Sequence, residues 1–214
     1  NHGRLLDDSS QGFARISTSL NTAVSNYGEH LKIANGDIFQ GTYISNTFYG
    51  KPLVECLNYL DFDAFVIGNH EFDWGLETIS VFNDGDLSNG EADFSFLGAN
   101  IVNKTTSTMP SWLDEYVVVE NNGLKVGMIG VMGEGSTSSI SSEFVENYKF
   151  LDPVPIVERL SSKLRTEELC DVVVVAIHDY DSSTNERFAA LSGDSVVDAV
   201  LCAHTHQRIA ESIK

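Results

Sequence analysis

Side chains that can bind metal ions recur in this sequence directly after short, apolar, β-prone runs, and one more opens the chain. Five of the six histidines belong to this set, with one aspartate and one asparagine: His2, Asp37, Asn69, His70, His178, His204 and His206. Because ligands of open α/β sheets bind at the carboxyl ends of the strands, we expect these side chains to lie together. His30 is the exception, since it precedes a strand and is expected at the surface or in a turn.

The mixture of imidazole and carboxylate groups suits zinc, manganese or iron. Any one of these histidines alone is better explained by a structural role. Five together are not, because buried imidazoles need hydrogen-bond partners and clustering several without a metal is costly. In His204-Thr205-His206 the two rings share a face of a strand and can diverge in a tight loop toward two ions. Two ions roughly 3.5–4 Å apart can hold a hydroxide and clamp the oxygens of a displacement at phosphorus.

The apolar periodicity predicts helices and strands that alternate along most of the chain. Helices are predicted over residues 11–28, around residues 53–60 and from Pro153 onward. Strands are predicted over residues 30–36, 65–67, 94–97, 116–120, 124–131, 172–177 and 196–202. This order favours a single α/β domain with central sheets between helices. The segment 133–142, rich in glycine and serine, is expected to be a flexible loop.

Length and composition limit the classes of function. The chain has 214 residues and 42% apolar residues, which suits one domain with an ordinary core. The formal net charge of −18 disfavours nucleic-acid polymers and anionic lipid, and it disfavours a phosphate ligand unless local cations override it. No apolar run approaches the roughly 20 residues of a membrane span. Of the three cysteines, Cys56 and Cys202 lie in apolar stretches and are expected to be buried thiols.

Three blocks of sequence carry a family resemblance. They are Gly36-Asp37-Ile38-Phe39-Gln40-Gly41, Gly68-Asn69-His70-Glu71-Phe72-Asp73-Trp74-Gly75 and Ala203-His204-Thr205-His206-Gln207, and Gly98-Ala99-Asn100 is a further signpost. They resemble the calcineurin-like metallophosphoesterases and, within them, the 5′-nucleotidase family that includes bacterial UDP-sugar hydrolases. The resemblance covers essentially the whole chain. It implies a metallophosphoesterase β-sandwich with αββα layers and a metal site at the carboxyl ends of the strands.

The resemblance also implies a role for each residue of the set. The implied cofactors are two divalent metal ions, zinc, manganese or similar. The implied ligands are His2 and His206 for the first ion, Asn69, His178 and His204 for the second, and Asp37 as the bridge between them. His70 resembles the catalytic histidine that stabilises charge on the transferring phosphoryl group and the leaving oxygen. Asp73 resembles its orienting partner, which fixes the imidazole tautomer and favours its charged form.

The sequence departs from the family pattern in three places. The aspartate of the family's Asp-x-His would precede Asn1, and Ala203 replaces the usual glycine before His-x-His. The nucleotide enzymes also carry a C-terminal domain that grips base and sugar. We therefore expect residues 1–214 to be a metallophosphoesterase domain that lacks its first strand, with the substrate-selecting domain outside this chain. Family habit implies an extracytoplasmic location, whether periplasmic, cell-surface or secreted.

Three hypotheses about function follow from these patterns. The leading one is two-metal hydrolysis of phosphomonoesters, chiefly 5′-nucleotides, with UDP-sugars or cyclic nucleotides as related substrates. A second is hydrolysis of a thiosulfate ester, as in relatives that share these motifs. A third is a non-catalytic remnant that serves as a binding or assembly module. The missing aspartate favours the remnant, whereas His70 and Asp73 argue against it, because a pure binding module has no need of that pair.

Overall fold

Helices and strands alternate along the chain in an α/β fold, as predicted. The computed structural model describes residues 12–28 and 30–212, so the prediction for His2 lies outside the described residues. The strands are β1 Ile33–Asn35, β2 Ala64–Val66, β3 Ser95–Leu97, β4 Ile101–Asn103, β5 Tyr116–Asn121, β6 Leu124–Met132, β7 Tyr148–Phe150, β8 Val172–His178 and β9 Ala199–Cys202. The helices are α1 Phe13–Tyr27, α2 Tyr43–Thr47, α3 Lys51–Tyr59, α4 Leu76–Ile79, α5 Ser142–Val145, α6 Pro153–Thr166 and α7 Ser182–Ala189.

The strands form two main sheets and one small antiparallel pair. The first sheet has the order β1-β2-β3 and is parallel throughout. The second has the order β5-β6-β8-β9, in which β5 and β6 form an antiparallel hairpin and the other pairings are parallel. Strands β4 and β7 pair separately. Because β1 and β2 end in register, as do β8 and β9, the loops that follow them emerge at shared sheet edges.

The core divides into three layers of apolar contacts, which confirms the αββα arrangement. Between the sheets lies a small cluster of side chains from both: Ala64, Val66 and Leu97 against Val126, Met128 and Ala176. Helices α3 and α4 cover the outer face of the first sheet over a cluster rich in phenylalanine. Helices α6 and α7 cover the outer face of the second over a mainly aliphatic cluster. Strands β2 and β8 are nearly continuous apolar runs because both of their faces are buried.

Helix α1 lies on the surface of the domain. Its apolar stripe, Phe13, Ile16, Leu20 and Val24, is only half-buried, and none of its residues is fully buried. Within the described ranges, no helix has both the length and the apolar character needed to cross a bilayer.

Two sequence predictions need correction. Residues Glu134–Ser139 form a short 3₁₀ helix instead of an irregular loop, and Ser136 within it is buried. Cys202 is exposed, whereas Cys56 is half-buried and Cys170 is buried. The apolar run that holds Cys202 becomes β9, an outer strand with one neighbour in its sheet, so much of its surface stays open to solvent.

Candidate metal centre

Four of the predicted metal ligands lie together at the carboxyl ends of β1, β2, β8 and β9. Ligand atoms of Asp37, His178 and His204 all lie within 4.8 Å of one another. Asn69 adjoins them, since its Oδ1 is 3.1 Å from Nε2 of His178. The rings of His178 and His204 have centroids 5.3 Å apart. The parallel registers of the two sheets therefore bring together residues that are distant in sequence.

His178 is oriented through both ring nitrogens. Its Nδ1 donates a hydrogen bond of 2.7 Å to the carbonyl oxygen of Asn35. The other nitrogen, Nε2, then faces two oxygens, Oδ2 of Asp37 at 3.2 Å and Oδ1 of Asn69 at 3.1 Å. A histidine that binds a metal through one nitrogen typically donates its other N–H to a carbonyl or carboxylate. This arrangement fits a metal ligand whose ring plane the protein has already fixed.

Asp37 is held as a buried carboxylate. Burial by itself raises its pKa, but the hydrogen bond and charge of His178, together with the backbone N–H of His70, outweigh burial and lower the pKa to about 2. Burial likewise tends to lower the pKa of His178, and the Asp37 carboxylate outweighs this and raises it. Asp37 therefore carries the negative charge and His178 holds a proton, which a bound cation would displace. Metal binding at such a pair weakens as the pH falls.

His204 and His206 follow β9 in an unusual backbone conformation. Both have positive φ angles, 66° and 56°, which non-glycine residues adopt rarely. Nδ1 of His204 is buried and has no hydrogen-bond partner among the residues that the structure describes. An unsatisfied buried imidazole nitrogen is costly, and a cation would satisfy it. The residues present therefore fit a divalent metal ion. His206 is exposed and lines the same cleft without joining the close group.

His70 and Asp73 form the predicted pair beside this group. The 3₁₀ helix Asn69–Phe72 places residues three apart on one side, and Nδ1 of His70 lies 2.7 Å from Oδ2 of Asp73. Both side chains are partly exposed, at 32% and 26%. The backbone N–H of His70 donates to Oδ1 of Asp37 at 2.9 Å, which links the pair to this candidate ligand. An imidazole in this place can meet a ligand that approaches from solvent.

Glu71 has no assigned role in the sequence, yet it is a fully buried polar residue at this site. Burial and the nearby Asp37 charge raise the pKa of its carboxyl group, while hydrogen bonds from the backbone N–H groups of Asp37 and Ile38 favour its ionised form. Its oxygens accept hydrogen bonds from backbone N–H groups in the loops that follow β1 and β2. The only sequence feature that could have indicated this role is the position of Glu71 inside the Gly-Asn-His-Glu block. A motif does not reveal which distant backbone groups a side chain will contact.

A cleft of about 700 Å³ adjoins the candidate ligands. Its lining includes Asp37, His178, His204, His206, Tyr180 and Asn185. This volume falls within the range typical of small-molecule sites. Since the chain as a whole is strongly acidic, an anionic ligand in this cleft would need cations to offset the negative field.

Comparisons with known proteins show which family the chain resembles. A family model described as calcineurin-like phosphoesterase matches residues 2–208, a range that includes all the loops described above. An apyrase of Tabanus yao is 30% identical, over 91% of this chain and 33% of its own length. The cell wall protein Lmo0130 of Listeria monocytogenes is 25% identical, over 94% of this chain and 29% of its own length.

Solved structures show the same fold. A 5′-nucleotidase precursor from Thermus thermophilus matches with a TM-score of 0.75 and 25% sequence identity, over 94% of this chain and 37% of that one. The chain spans about a third of the length of the curated relatives named above. The similarity therefore concerns only a part of each of those longer proteins.

Proposed function

We infer the function from one premise, that the chain belongs to the calcineurin-like phosphoesterase family. We propose that it is the metal-binding domain of a metal-dependent phosphoric ester hydrolase that acts on small phosphomonoesters. The observation that carries the proposal is the convergence of ligand atoms from Asp37, His178 and His204 within 4.8 Å of one another. These three side chains come from three different strand ends, and Nδ1 of His204 has no hydrogen-bond partner among the described residues; a cation explains both observations well.

The proposed cofactors are two divalent ions, zinc, manganese or similar. Asn69, His178 and His204 would hold one ion, His2 and His206 would contribute to the other, and Asp37 would bridge them. Such ions, when bound, would polarise a phosphoryl oxygen and make water a better nucleophile at neutral pH. The short distances among Asp37, Asn69, His178 and His204 support the first assignment. The assignment of His2 and His206 rests on the family resemblance.

His70 is the proposed catalytic residue, with Asp73 as its partner. The Asp73 carboxylate accepts a hydrogen bond from Nδ1 of His70, which fixes the tautomer and the orientation of the ring. Because His70 is partly exposed at the edge of the group, its ring can contact a phosphoryl or leaving oxygen. A positive charge there stabilises the transition state more than the bound ester, since negative charge grows during the reaction.

The proposed substrates are 5′-nucleotides, with UDP-sugars or cyclic nucleotides as related esters. Support comes from the names of relatives, an apyrase and a 5′-nucleotidase precursor. We propose that a separate domain of the whole protein selects the nucleoside. The resemblance to a cell wall protein supports an extracytoplasmic location.

The proposal is tested by metal content and turnover of the full-length protein. We expect bound divalent metal by elemental analysis, hydrolysis of p-nitrophenyl phosphate and AMP, and loss of turnover after chelation with recovery on adding Mn²⁺. His178→Ala should lose metal and activity, whereas His30→Ala, which removes an exposed histidine outside the site, should keep both. A protein that binds metal but turns over neither ester would support the non-catalytic alternative. Preference for a thiosulfate ester would support the sulfur chemistry.

A further inference from the structure

Glu71 contacts the two loops that carry the inner metal ligands. Its Oε2 accepts hydrogen bonds from the backbone N–H groups of Gly68 and Asp37, each at 2.8 Å. Its Oε1 accepts from Ile38 at 3.0 Å and from Phe39 at 3.3 Å. One carboxylate thus receives four backbone donors, three from the loop after β1 and one from the loop after β2.

These contacts require a carboxylate. An ionised carboxylate has only acceptors on both oxygens, which suits four converging N–H groups. A glutamine in the same place would turn one NH₂ group toward backbone N–H groups, so two donors would face each other without an acceptor. The side chain is completely buried, and water is therefore not available to replace a lost bond.

The two loops that Glu71 joins approach each other backbone to backbone. A Cβ atom on Gly36 would lie 2.7 Å from Cα of Gly68, and a Cβ on Gly68 would lie 2.6 Å from N of Asp37. Asp37 itself has a φ of 58°, in the left-handed region, although it is not a glycine. The Glu71 carboxylate binds the N–H of this strained residue, and so it stabilises the backbone conformation that aims the Asp37 side chain.

We propose that Glu71 is a positioning residue of the metal centre. Its carboxylate fixes the loop that carries Asp37 against the loop that carries Asn69 and His70, and thereby sets the spacing of the ligand atoms. The inference rests on the proposed function, since it assumes that these ligands bind a metal ion. Glu71 touches neither the substrate nor the ion in this role; it acts through the backbone of the residues that do.

The test measures Co²⁺ binding and the Co²⁺ visible absorption spectrum in the full-length protein and in Glu71→Gln. Since partners of metal ligands typically contribute 10–100-fold to metal affinity or activity, we expect Glu71→Gln to weaken Co²⁺ binding by roughly that factor. With Co²⁺ saturating, kcat should fall and KM should change little, because Glu71 makes no contact with the substrate. The absorption spectrum should also shift, because the ligand geometry changes.

Glu91→Gln is the matched control. Glu91 also accepts two backbone N–H bonds, from Asp84 and Gly85, but in a loop outside the metal centre. This variant should keep the parent's Co²⁺ affinity, spectrum and kcat. Glu71→Asp keeps the charge but is one methylene shorter, so it reaches the two loops less well and should fall between the parent and Glu71→Gln.

Each outcome decides the question. A folded Glu71→Gln that has the Co²⁺ affinity and spectrum of the parent would overturn the proposal. If Glu71→Gln does not fold, the same result with a folded Glu71→Asp would overturn it. Failure of both variants to fold would assign Glu71 to folding alone and would also overturn it. If the parent protein binds no Co²⁺, the proposed function fails as well. If the parent binds Co²⁺ and hydrolyses esters while the Glu71 variants equal it, only the role of Glu71 is wrong.

Discussion

The candidate metal centre has two halves that differ in how the protein holds them. The inner half, Asp37, Asn69, Glu71 and His178, is buried, and its side chains are joined by hydrogen bonds to one another and to backbone groups. The outer half, His204 and His206, follows the edge strand β9 and is more exposed. Nδ1 of His204 has no hydrogen-bond partner within the described residues.

The difference indicates how each half reaches its binding geometry. Hydrogen bonds from fixed neighbours position the inner ligands before any ion arrives, which lowers the cost of binding. The outer ligands follow an edge strand and are more exposed, so we expect less of their geometry to be set before an ion binds. We expect an ion held by the inner residues to be bound more tightly than one held mainly by His206.

The largest expected effect comes from His70, which lies beside the inner half but is not a proposed ligand. His70→Ala should leave the metal content unchanged and lower kcat by roughly 10²–10⁴-fold, the usual contribution of one positioned acid–base group. Asp73→Asn should lower kcat by a smaller factor, because the imidazole of His70 remains. Steady-state kinetics with elemental analysis measure both. A His70→Ala protein that lost its metal but kept normal turnover per bound ion would show that His70 is a ligand or a structural residue.

The close packing of the inner half predicts a steric effect at Gly68. Its backbone is extended, so alanine is allowed there, but the added Cβ would lie 2.6 Å from Oδ1 of Asp37 and 2.8 Å from Oε2 of Glu71. We expect Gly68→Ala to lower the free energy of unfolding by about 1–3 kcal/mol. Gly135→Ala, where nothing lies within 4 Å, should stay within about 0.5 kcal/mol. Urea denaturation measures both, and equal stabilities would contradict the close approach of the two loops.

Metal affinity should separate the two halves directly. His178→Ala removes a ligand and also leaves buried hydrogen-bond partners unpaired, whereas His206→Ala removes an exposed ring. A buried hydrogen bond to a charged group contributes about 1.5–3 kcal/mol. We therefore expect His178→Ala to weaken Mn²⁺ binding about tenfold or more relative to the effect of His206→Ala. Anomalous scattering from crystals should likewise show the ion at Asp37, Asn69, His178 and His204 as the better occupied. An ion found only at His206 would reverse the comparison.

The smallest effect concerns Asp181, which caps helix α7 near the outer half. Its side chain accepts hydrogen bonds from Ser183 and Thr184, and these lower its pKa to about 2. Asp181→Ala should lower the free energy of unfolding by about 1 kcal/mol, as for other N-caps, and leave Mn²⁺ affinity unchanged. The folded-state pKa is below the ordinary value of 3.8, so the contribution is complete above that pH. It should shrink as the pH falls toward about 2.

Urea denaturation of parent and variant at neutral and acidic pH checks this dependence. A difference in stability that grew on acidification would contradict the assigned cap. A change in Mn²⁺ affinity would mean that α7 supports the metal centre more directly than its contacts indicate.

The sequence by itself determined the elements and the residue types of the site. Apolar periodicity placed α1, α3, α6 and the strands β5, β6 and β8 close to where they lie, because each buries one or two faces with a fixed repeat. The short blocks that carry the family resemblance indicated Asp37, Asn69, His70 and Asp73, and His70 and Asp73 lie close because they are only three residues apart.

Tertiary structure decided what depends on distant partners. His178 is oriented by the carbonyl of Asn35, 143 residues away, and Glu71 reaches the N–H of Asp37, 34 residues away. Neither contact follows from a local pattern, because the first requires the packing of the two sheets and the second requires the parallel pairing of β1 with β2. The same holds for Cys202, whose apolar neighbours suggested burial. Its exposure results from the place of β9 at the edge of its sheet, which only the assembled fold determines.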